Sequence, residues 1–242
     1  MDTVDKVEVD RFGSIAGDWW NPRGTFRPLH QITPQRLSYI RERVLDHRGG
    51  DANDRKPFAG LSIADIGCGG GLVAEPLARL GATVTGVDPG AENIAAARAH
   101  AEAQDLAIAY RVGTSHDLAA EGDQFDCVIA FEVIEHVPDA DVFLQSCAAL
   151  LRPGGLMLLS TLNRTAKSYL LAIIGAEYVL RWLPRGTHRW DRFVTPAEMD
   201  ASLLRCGLRP AGHRGMVLNP LTGAWRLATD TDVNYFTAAT KP

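Results

Sequence analysis

Little in the sequence suggests a zinc site, a disulfide framework or a nucleic-acid binder. The 242-residue chain has only four cysteines, none in a C-x-x-C pair, so its thiols are predicted to be reduced and free of zinc. Acidic residues outnumber basic ones by 29 to 25, which argues against binding of nucleic acid. The start of the chain lacks the apolar core of a signal peptide. A cytoplasmic protein with one domain spanning residues 1–242 is therefore expected.

The most informative stretch is LSIADIGCGGG, residues 61–71, which is followed by a second apolar run ending on Asp88. A buried strand, a glycine-rich turn, a helix and a strand ending in an acid form a βαβ unit that cradles a nucleotide. Gly67, Gly69 and Gly71 have no Cβ, so a ligand can lie against the backbone there. Asp88 follows at the distance along the chain at which an acid reaches ribose hydroxyls.

The spacing of the glycines indicates which nucleotide is bound. A dinucleotide fold has G-x-G-x-x-G, and the third glycine of that pattern would fall on Leu72. The chain instead has D-x-G-x-G-x-G, and its first acid would repel a pyrophosphate but suits the cationic end of S-adenosylmethionine (SAM). This pattern resembles motif I of the class I SAM-dependent methyltransferases. The predicted cofactor-binding residues of this unit are Asp65, Gly67, Gly69 and Asp88.

Strands and helices alternate through the rest of residues 58–242, the predicted core. After the first two strands, further strands are predicted at 106–112, 125–131, 156–161, 208–216 and 233–240. This alternation predicts an α/β fold with a doubly wound, mostly parallel sheet, Rossmann-like, of seven strands. The last strand is antiparallel in the methyltransferase fold that the chain resembles. In such sheets the ligand lies beyond the carboxyl ends of the strands.

Residues 1–48 are predicted to form a helical lid. The apolar spacing predicts one helix over 9–20, and a second helix is expected to begin with Thr33 as its cap and Pro34 in its first position. Two adjacent tryptophans beside basic residues suit a cover over an organic ligand.

Six segments together resemble the ubiquinone-biosynthesis O-methyltransferases, over nearly the whole chain from Phe12. They are WWNPRGTFRPLH at 19–30, DIGCGGG at 65–71, EVIEHVP at 132–138, STLNRTAKSYL at 160–170, GAEYVLRWLPRGTH at 175–188 and DVNYF at 232–236. Several of these segments are not general to the methyltransferase fold, so the resemblance is more specific than motif I. The chain departs from the family pattern at Thr33, where asparagine is usual, and retains Arg36.

The resemblance implies a SAM-dependent O-methyltransferase that acts on ring hydroxyls of polyprenylated catechols or quinols in ubiquinone biosynthesis. It implies SAM contacts at Arg36, Gly67, Asp88 and Phe131. Arg36 would pair with the methionine carboxylate, and Phe131 would line the methyl-donor pocket. Other ubiquinone-biosynthesis enzymes are implied as partners. Two alternatives stay open: a methyltransferase of the same fold with another small-molecule substrate, and a membrane-bound assembly subunit that binds SAM without turnover.

Methyl transfer to a phenol requires a deprotonated oxygen, and a phenol titrates near ~10. Glu132, Glu135 and His136 follow the fourth strand and would share one face if this segment were helical. They are predicted either to hold Mg²⁺ or another divalent cation, or to supply the base directly. His30 and His188, each in a family-specific segment, are rival candidates for the base.

Residues 164–190 are basic and rich in apolar side chains. The apolar part, 169–183, is shorter than the ~20 residues needed to cross a bilayer. Glu177 and Arg181 form an i, i+4 pair on the same narrow stripe as Arg185. This composition predicts an interfacial helix that binds an anionic membrane surface, and a buried core helix is the alternative. The protein is thus expected in the cytoplasm, bound peripherally to the inner face of the membrane.

Overall fold

The computed structural model describes residues 4–51, 53–171, 173 and 189–242. These residues contain eight strands, all in one sheet: β1 (Ser62–Ile66), β2 (Thr83–Asp88), β3 (Ala109–Val112), β4 (Phe125–Phe131), β5 (Leu151–Leu162), β6 (Arg209–Leu218), β7 (Trp225–Ala228) and β8 (Asn234–Thr240). The helices are α1 (Lys6–Gly13), α2 (Arg27–Arg48), α3 (Ala74–Arg79), α4 (Ala91–Ala103), α5 (Ser115–Ala120), α6 (Ala140–Ala149), α7 (Ala166–Ser168) and α8 (Pro196–Arg205).

The strand order is β3-β2-β1-β4-β5-β8-β6-β7. Strands β1 to β5 are parallel, whereas β8 lies antiparallel between β5 and β6. The order reverses between β1 and β4, and the carboxyl ends of neighbouring strands diverge at such a point to leave a crevice. The predicted doubly wound, mostly parallel Rossmann-like sheet is confirmed.

The sheet has one strand more than the seven predicted. The additional strand, β7, pairs with the second half of β6 in an antiparallel hairpin at the edge of the sheet. It is four residues long and follows the turn that contains Gly223. A strand this short offers too few positions for apolar alternation to be recognised in the sequence.

Helices cover both faces of the sheet. Successive side chains of a strand point alternately to these two buried faces. In β5, Leu156 and Leu158 pack with the side of the sheet covered by α2, α3 and α4. Met157 and Leu159 pack with the side covered by α5, α6 and α8. Because helices cover both faces, the core strands are continuous apolar runs in the sequence.

The amino-terminal helices differ from the prediction. The helix predicted over 9–20 is instead α1, which ends at Gly13, followed by a 3₁₀ turn at Ala16–Asp18. Thr33 does not cap the second helix: α2 begins at Arg27, seven residues before the predicted first position, with Pro28 in its first turn, and its Thr33 hydroxyl donates to the Leu29 carbonyl at 2.7 Å. The local signal favoured Pro34, because Thr33 before it is a capping residue, whereas α2 begins after Phe26 without a side-chain cap.

Candidate cofactor and substrate site

A cavity of about 750 Å³ opens at the carboxyl ends of β1, β2 and β4. Its walls come from the glycine turn after β1, from the residues that follow β2, β3 and β4, and from α1 and α2 of the amino-terminal region. Most of the surrounding side chains are apolar, and a few buried charged groups face the interior. An apolar cavity with a small number of converging polar groups is typical of a site for an organic ligand.

The glycine turn is held at the end of β2. The N–H groups of Gly67 and Cys68 both donate to the Val87 carbonyl, at 2.8 and 3.1 Å. Gly67 and Gly71 have φ values of +68° and +89°, which side chains rarely adopt. A Cβ on Gly67 would lie 2.5 Å from a Val133 methyl carbon. These glycines therefore allow the turn to lie against both neighbouring strands at the floor of the cavity.

Asp88 lines the cavity and is only 8 % exposed. Its Oδ2 accepts from the Gly69 N–H at 3.0 Å, and its Oδ1 accepts from the Gly90 N–H at 2.8 Å and from Asn93 Nδ2 at 3.0 Å. Burial raises the pKa of Asp88, and these three hydrogen bonds oppose that rise. A carboxylate accepts about four hydrogen bonds, so one acceptor position is left for a ligand in the cavity.

Arg36 and Asp65 are buried groups of opposite charge that line the same cavity. Arg36 Nε and Nη2 and Asp65 Oδ2 have no hydrogen-bond partner among the described residues. Burial lowers the pKa of Arg36 and raises that of Asp65 to about 7, while the attraction between the two groups opposes both shifts. Buried polar atoms without partners are costly, so this pair suits a ligand that carries both a carboxylate and a cation.

The predicted trio Glu132, Glu135 and His136 does not share a helical face. Glu132 lies in the left-handed region at φ +56°, and only a 3₁₀ turn, Ile134–His136, follows it. The expectation of a common face was wrong, because an α-helix does not form directly after β4.

The three side chains have different partners. Glu132 Oε1 accepts from the Ser160 hydroxyl at 2.8 Å, and Glu135 Oε2 accepts from the Thr161 hydroxyl at 3.0 Å. His136 Nδ1 lies 3.1 Å from Oε2 of Glu8, on α1. Across the described ranges, no group of three or more His, Cys, Asp or Glu side chains is arranged to hold a metal ion.

Glu135 and His136 have shifted pKa values. Burial and the nearby Glu132 raise the pKa of Glu135 to about 7. For His136, burial lowers the pKa, but the hydrogen bond to Glu8 and the charge of Glu135 outweigh it, and the net shift is upward. The pKa of Glu135 therefore lies near neutral pH, whereas His136, which lines the cavity, holds its proton more tightly than an ordinary imidazole.

The other predicted site residues have different positions. Phe131 lines the cavity, with its ring centroid 5.9 Å from Arg36 Cζ. His30 is not among the residues lining the cavity, and its Nε2 is hydrogen-bonded to the Trp19 carbonyl at 2.8 Å. The other candidate base, His188, lies outside the described residues.

Two residues that line the cavity, Glu8 and Asn93, were not predicted from the sequence as site residues. Asn93 stands in the first turn of α4, five residues after Asp88, and this proximity is the one signal that could have identified it. Glu8 is paired with a residue more than 100 positions away, so no local pattern could identify it.

The predicted interfacial segment is described only in part. Tyr169, Leu170 and Leu171 are exposed, and the Tyr169 ring stands perpendicular to that of Trp190 at 6.4 Å. Leu171 and Lys167 also line the cavity. Glu177, Arg181 and Arg185 lie outside the described residues. Within the part of the chain that is described, no helix has the length and apolar character to cross a membrane.

Comparisons with known proteins identify the family of the chain. The model of a family described as "Methyltransferase domain" matches residues 64–159. The ubiquinone biosynthesis O-methyltransferase of Azorhizobium caulinodans is 52 % identical over 234 residues, covering 97 % of this chain and 92 % of that protein. The protein of the same name from Chelativorans sp. is 53 % identical over 240 residues, covering 99 % and 95 %.

Solved structures show the same fold. Magnesium protoporphyrin IX methyltransferase from Synechocystis PCC 6803, with bound SAH, has a TM-score of 0.69 at 22 % identity, covering 98 % of this chain and all of that one. The same enzyme with bound SAM has a TM-score of 0.66 at 18 % identity, with both chains covered in full.

Proposed function

The chain belongs to the ubiquinone biosynthesis O-methyltransferase family and is a SAM-dependent enzyme, and we propose that it methylates a ring hydroxyl of a polyprenylated catechol or quinol. The observation that carries this proposal is that buried Arg36, Asp65 and Asp88 line one cavity, with polar atoms of Arg36 and Asp65 left without partners among the described residues. SAM presents a carboxylate, an ammonium group and two ribose hydroxyls, and the cavity offers a complementary group for each. We propose that the whole chain works as one methyltransferase domain, with residues 1–48 as its lid.

The cofactor would lie along the carboxyl ends of β1, β2 and β4. Its carboxylate would accept from Arg36, and its ammonium group would pair with Asp65, whose ionised form it favours. The ribose would donate to Asp88, the glycine turn with Gly67 and Gly69 would lie beneath it, and Phe131 would border the sulfonium.

The reaction is an in-line displacement. The phenolate oxygen attacks the methyl carbon, the carbon–sulfur bond breaks, and its electron pair stays on sulfur to give S-adenosylhomocysteine. Holding the oxygen in line at near-attack distance is the main demand on the protein. Glu135 and His136 are the proposed bases, supported by the pKa of about 7 for Glu135, by the place of His136 in the cavity wall and by the position of the Ile134–His136 turn after β4.

A divalent cation held by Glu132, Glu135 and His136 stays a prediction. The donor set of two carboxylates and an imidazole suits a hard ion only in part, because imidazole is atypical for Mg²⁺. The present partners Ser160 and Glu8 would also have to release Glu132 and His136. The site is therefore not preassembled, and the steps above depend on the chain's own residues.

The substrate tail and the membrane are also part of the proposal. The exposed residues Tyr169, Leu170, Leu171 and Trp190, here called the apolar rim, adjoin the cavity through Leu171. A rim of this chemistry supports access of a polyprenyl chain from a lipid surface. We propose a cytoplasmic enzyme bound peripherally to the anionic inner face of the membrane, alongside other ubiquinone-biosynthesis enzymes.

The test is an assay of purified protein with SAM and a short-chain prenyl catechol, read by mass spectrometry. The expected result is equimolar O-methyl product and S-adenosylhomocysteine, both reduced in Asp88→Ala when SAM is limiting. Bound SAM without any product would favour the assembly-subunit alternative. Turnover of an unprenylated phenol at a similar kcat/KM would favour the alternative of another small-molecule substrate.

A further inference from the structure

The adjacent tryptophans of the lid contact the cofactor site in two different ways. Trp20 Nε1 donates to the Gly70 carbonyl at 2.9 Å, and its ring stacks on His100. Trp19 Nε1 instead donates to Asn93 Oδ1, also at 2.9 Å. The Trp19 ring packs on the glycine turn so closely that a Cβ on Gly70 would lie 2.3 Å from Trp19 Cγ. Of the two indole N–H groups, that of Trp19 is therefore the one hydrogen-bonded to a side chain beyond the turn.

Asn93 continues this connection to Asp88. Its Nδ2 donates to Asp88 Oδ1 at 3.0 Å, and the residue is only 3 % exposed. The orientation of the amide is fixed, because an indole N–H can only donate and an ionised carboxylate can only accept. The result is a directed chain, Trp19 to Asn93 to Asp88, in which each donor has an acceptor. A buried series of hydrogen bonds in which every residue has a partner restrains the side chains that form it.

The chain of hydrogen bonds ends at the carboxylate that faces the ribose position. The terminal torsion of an aspartate is broad, so hydrogen bonds rather than rotamer preference must fix its plane. Gly69 and Gly90 supply one backbone donor to each oxygen, and Asn93 supplies the second donor to Oδ1. With Asn93 in place, the remaining acceptor position of Asp88 points in one direction.

We propose that Trp19 and Asn93 are positioning residues that aim Asp88 at the ribose hydroxyls and couple the lid to cofactor binding. This inference rests on the proposed function, since it takes Asp88 as the ribose acceptor. Coupling between two events is reciprocal. Ribose binding should therefore stabilise the closed lid by the same free energy by which the closed lid stabilises ribose binding.

The test compares Trp19→Phe with Trp20→Phe, a matched pair that each lose one indole N–H. Dissociation constants are measured by calorimetry for S-adenosylhomocysteine and for its analogue lacking the 2′ and 3′ hydroxyls. Trp19→Phe should weaken binding of the full ligand about 5- to 20-fold and leave the affinity for the dideoxy analogue within about 2-fold of wild type. Trp20→Phe should change the two affinities by the same factor.

Asn93→Ala serves as a second variant if Trp19→Phe does not fold, because alanine is favourable in the first turn of a helix. In the wild type, S-adenosylhomocysteine should slow hydrogen exchange over 16–26, and this slowing should be lost in Asn93→Ala. If Trp19→Phe loses affinity for both ligands by the same factor, Trp19 acts only by packing, and the inference is overturned. If the wild type binds both ligands with equal affinity, the inference and the assignment of Asp88 to the ribose are both overturned. Methyl transfer in the assay above would still support the proposed function.

Discussion

Arg36 Nη2 lies 3.7 Å from Glu132 Oε1, which joins α2 to the residue that follows β4. Arg36 is 5 % exposed, and its Nε and Nη2 have no hydrogen-bond partner among the described residues. The cationic group of the proposed cofactor site therefore comes from the amino-terminal region, whereas the acids come from the sheet. The site is complete only when α2 is packed on the core.

Arg36→Leu should weaken SAM binding roughly 10- to 150-fold, as expected when hydrogen bonds to a charged group of ~1.5–3 kcal/mol are lost. The physical reason is that the methionine carboxylate would lose its partner and Asp65 its neighbouring positive charge. Calorimetry with SAM measures the effect. Arg43→Leu, which removes a partly exposed arginine on the same helix, is the control and should leave the affinity unchanged. Equal affinities for Arg36→Leu and wild type would contradict the placement of the carboxylate.

Asp88→Ala should weaken SAM binding by about 1.5–3 kcal/mol while leaving the fold intact, because a charged acceptor for the ribose is removed. The donors of Gly69, Gly90 and Asn93 would also lose their acceptor. Circular dichroism should show unchanged secondary structure, and calorimetry should show the loss. Unchanged SAM affinity in a folded variant would refute the cofactor assignment.

Glu135 should make the unliganded protein less stable as pH rises. Its pKa is about 7 in the folded state, above the ordinary value of 4.5, so the folded protein binds more protons than the unfolded chain between those values. Stability therefore falls as pH increases from about 4.5 to about 7, by up to ~1.4 kcal/mol per pH unit from this group, and then levels off.

Glu135→Gln tests this dependence, because glutamine mimics the protonated acid and can still accept from Thr161. Urea unfolding at pH 5 and pH 7.5 should show a smaller difference in free energy of unfolding for Glu135→Gln than for wild type. The same difference in both proteins would show that Glu135 titrates normally.

Removal of divalent metal ions tests the predicted cation. If Glu132, Glu135 and His136 hold an ion that lowers the pKa of the substrate hydroxyl, exhaustive chelation should abolish turnover, and added Mg²⁺ should restore it. The affinity for SAM should be unchanged, because the proposed SAM contacts are other residues. Full activity after chelation would rule out the cation and leave Glu135 or His136 as the base.

The parts of this site that the sequence predicted are those with local signals. The turn containing Gly67 and the strand ending at Asp88 lie within one βαβ unit, and the need for positive φ restricts the turn to glycine. The start of α2 was missed because α2 begins without a side-chain cap, whereas Thr33 and Pro34 within it have the local pattern of a helix start. The bond between Trp19 and Asn93 joins residues 74 positions apart, and such pairs are determined by tertiary packing rather than by spacing.

The apolar rim is the part of the proposal that concerns the membrane. The charges beside it in the described structure are paired: Lys167 with Asp230 at 2.7 Å, and Arg164 with Glu198. These pairs leave little net charge there to attract lipid. Binding at the described part of the rim should therefore depend on burial of apolar side chains, with Arg181 and Arg185 as the predicted source of any salt dependence.

Leu170→Asp combined with Leu171→Asp should release the protein from anionic liposomes. Burial of one leucine contributes about 1.5–3 kcal/mol, so losing two should reduce the partition coefficient by at least ~100-fold. Sedimentation with vesicles at low salt measures the bound fraction. Leu204→Asp is the matched control, because Leu204 is 61 % exposed on α8 but does not line the cavity, and its bound fraction should equal that of wild type.

Arg181→Glu with Arg185→Glu should weaken binding mainly at low salt, where charges on a membrane surface are least screened. If the wild type remains in the supernatant, the rim does not bind lipid, and residues 164–190 would instead cover the cavity or pack in the core.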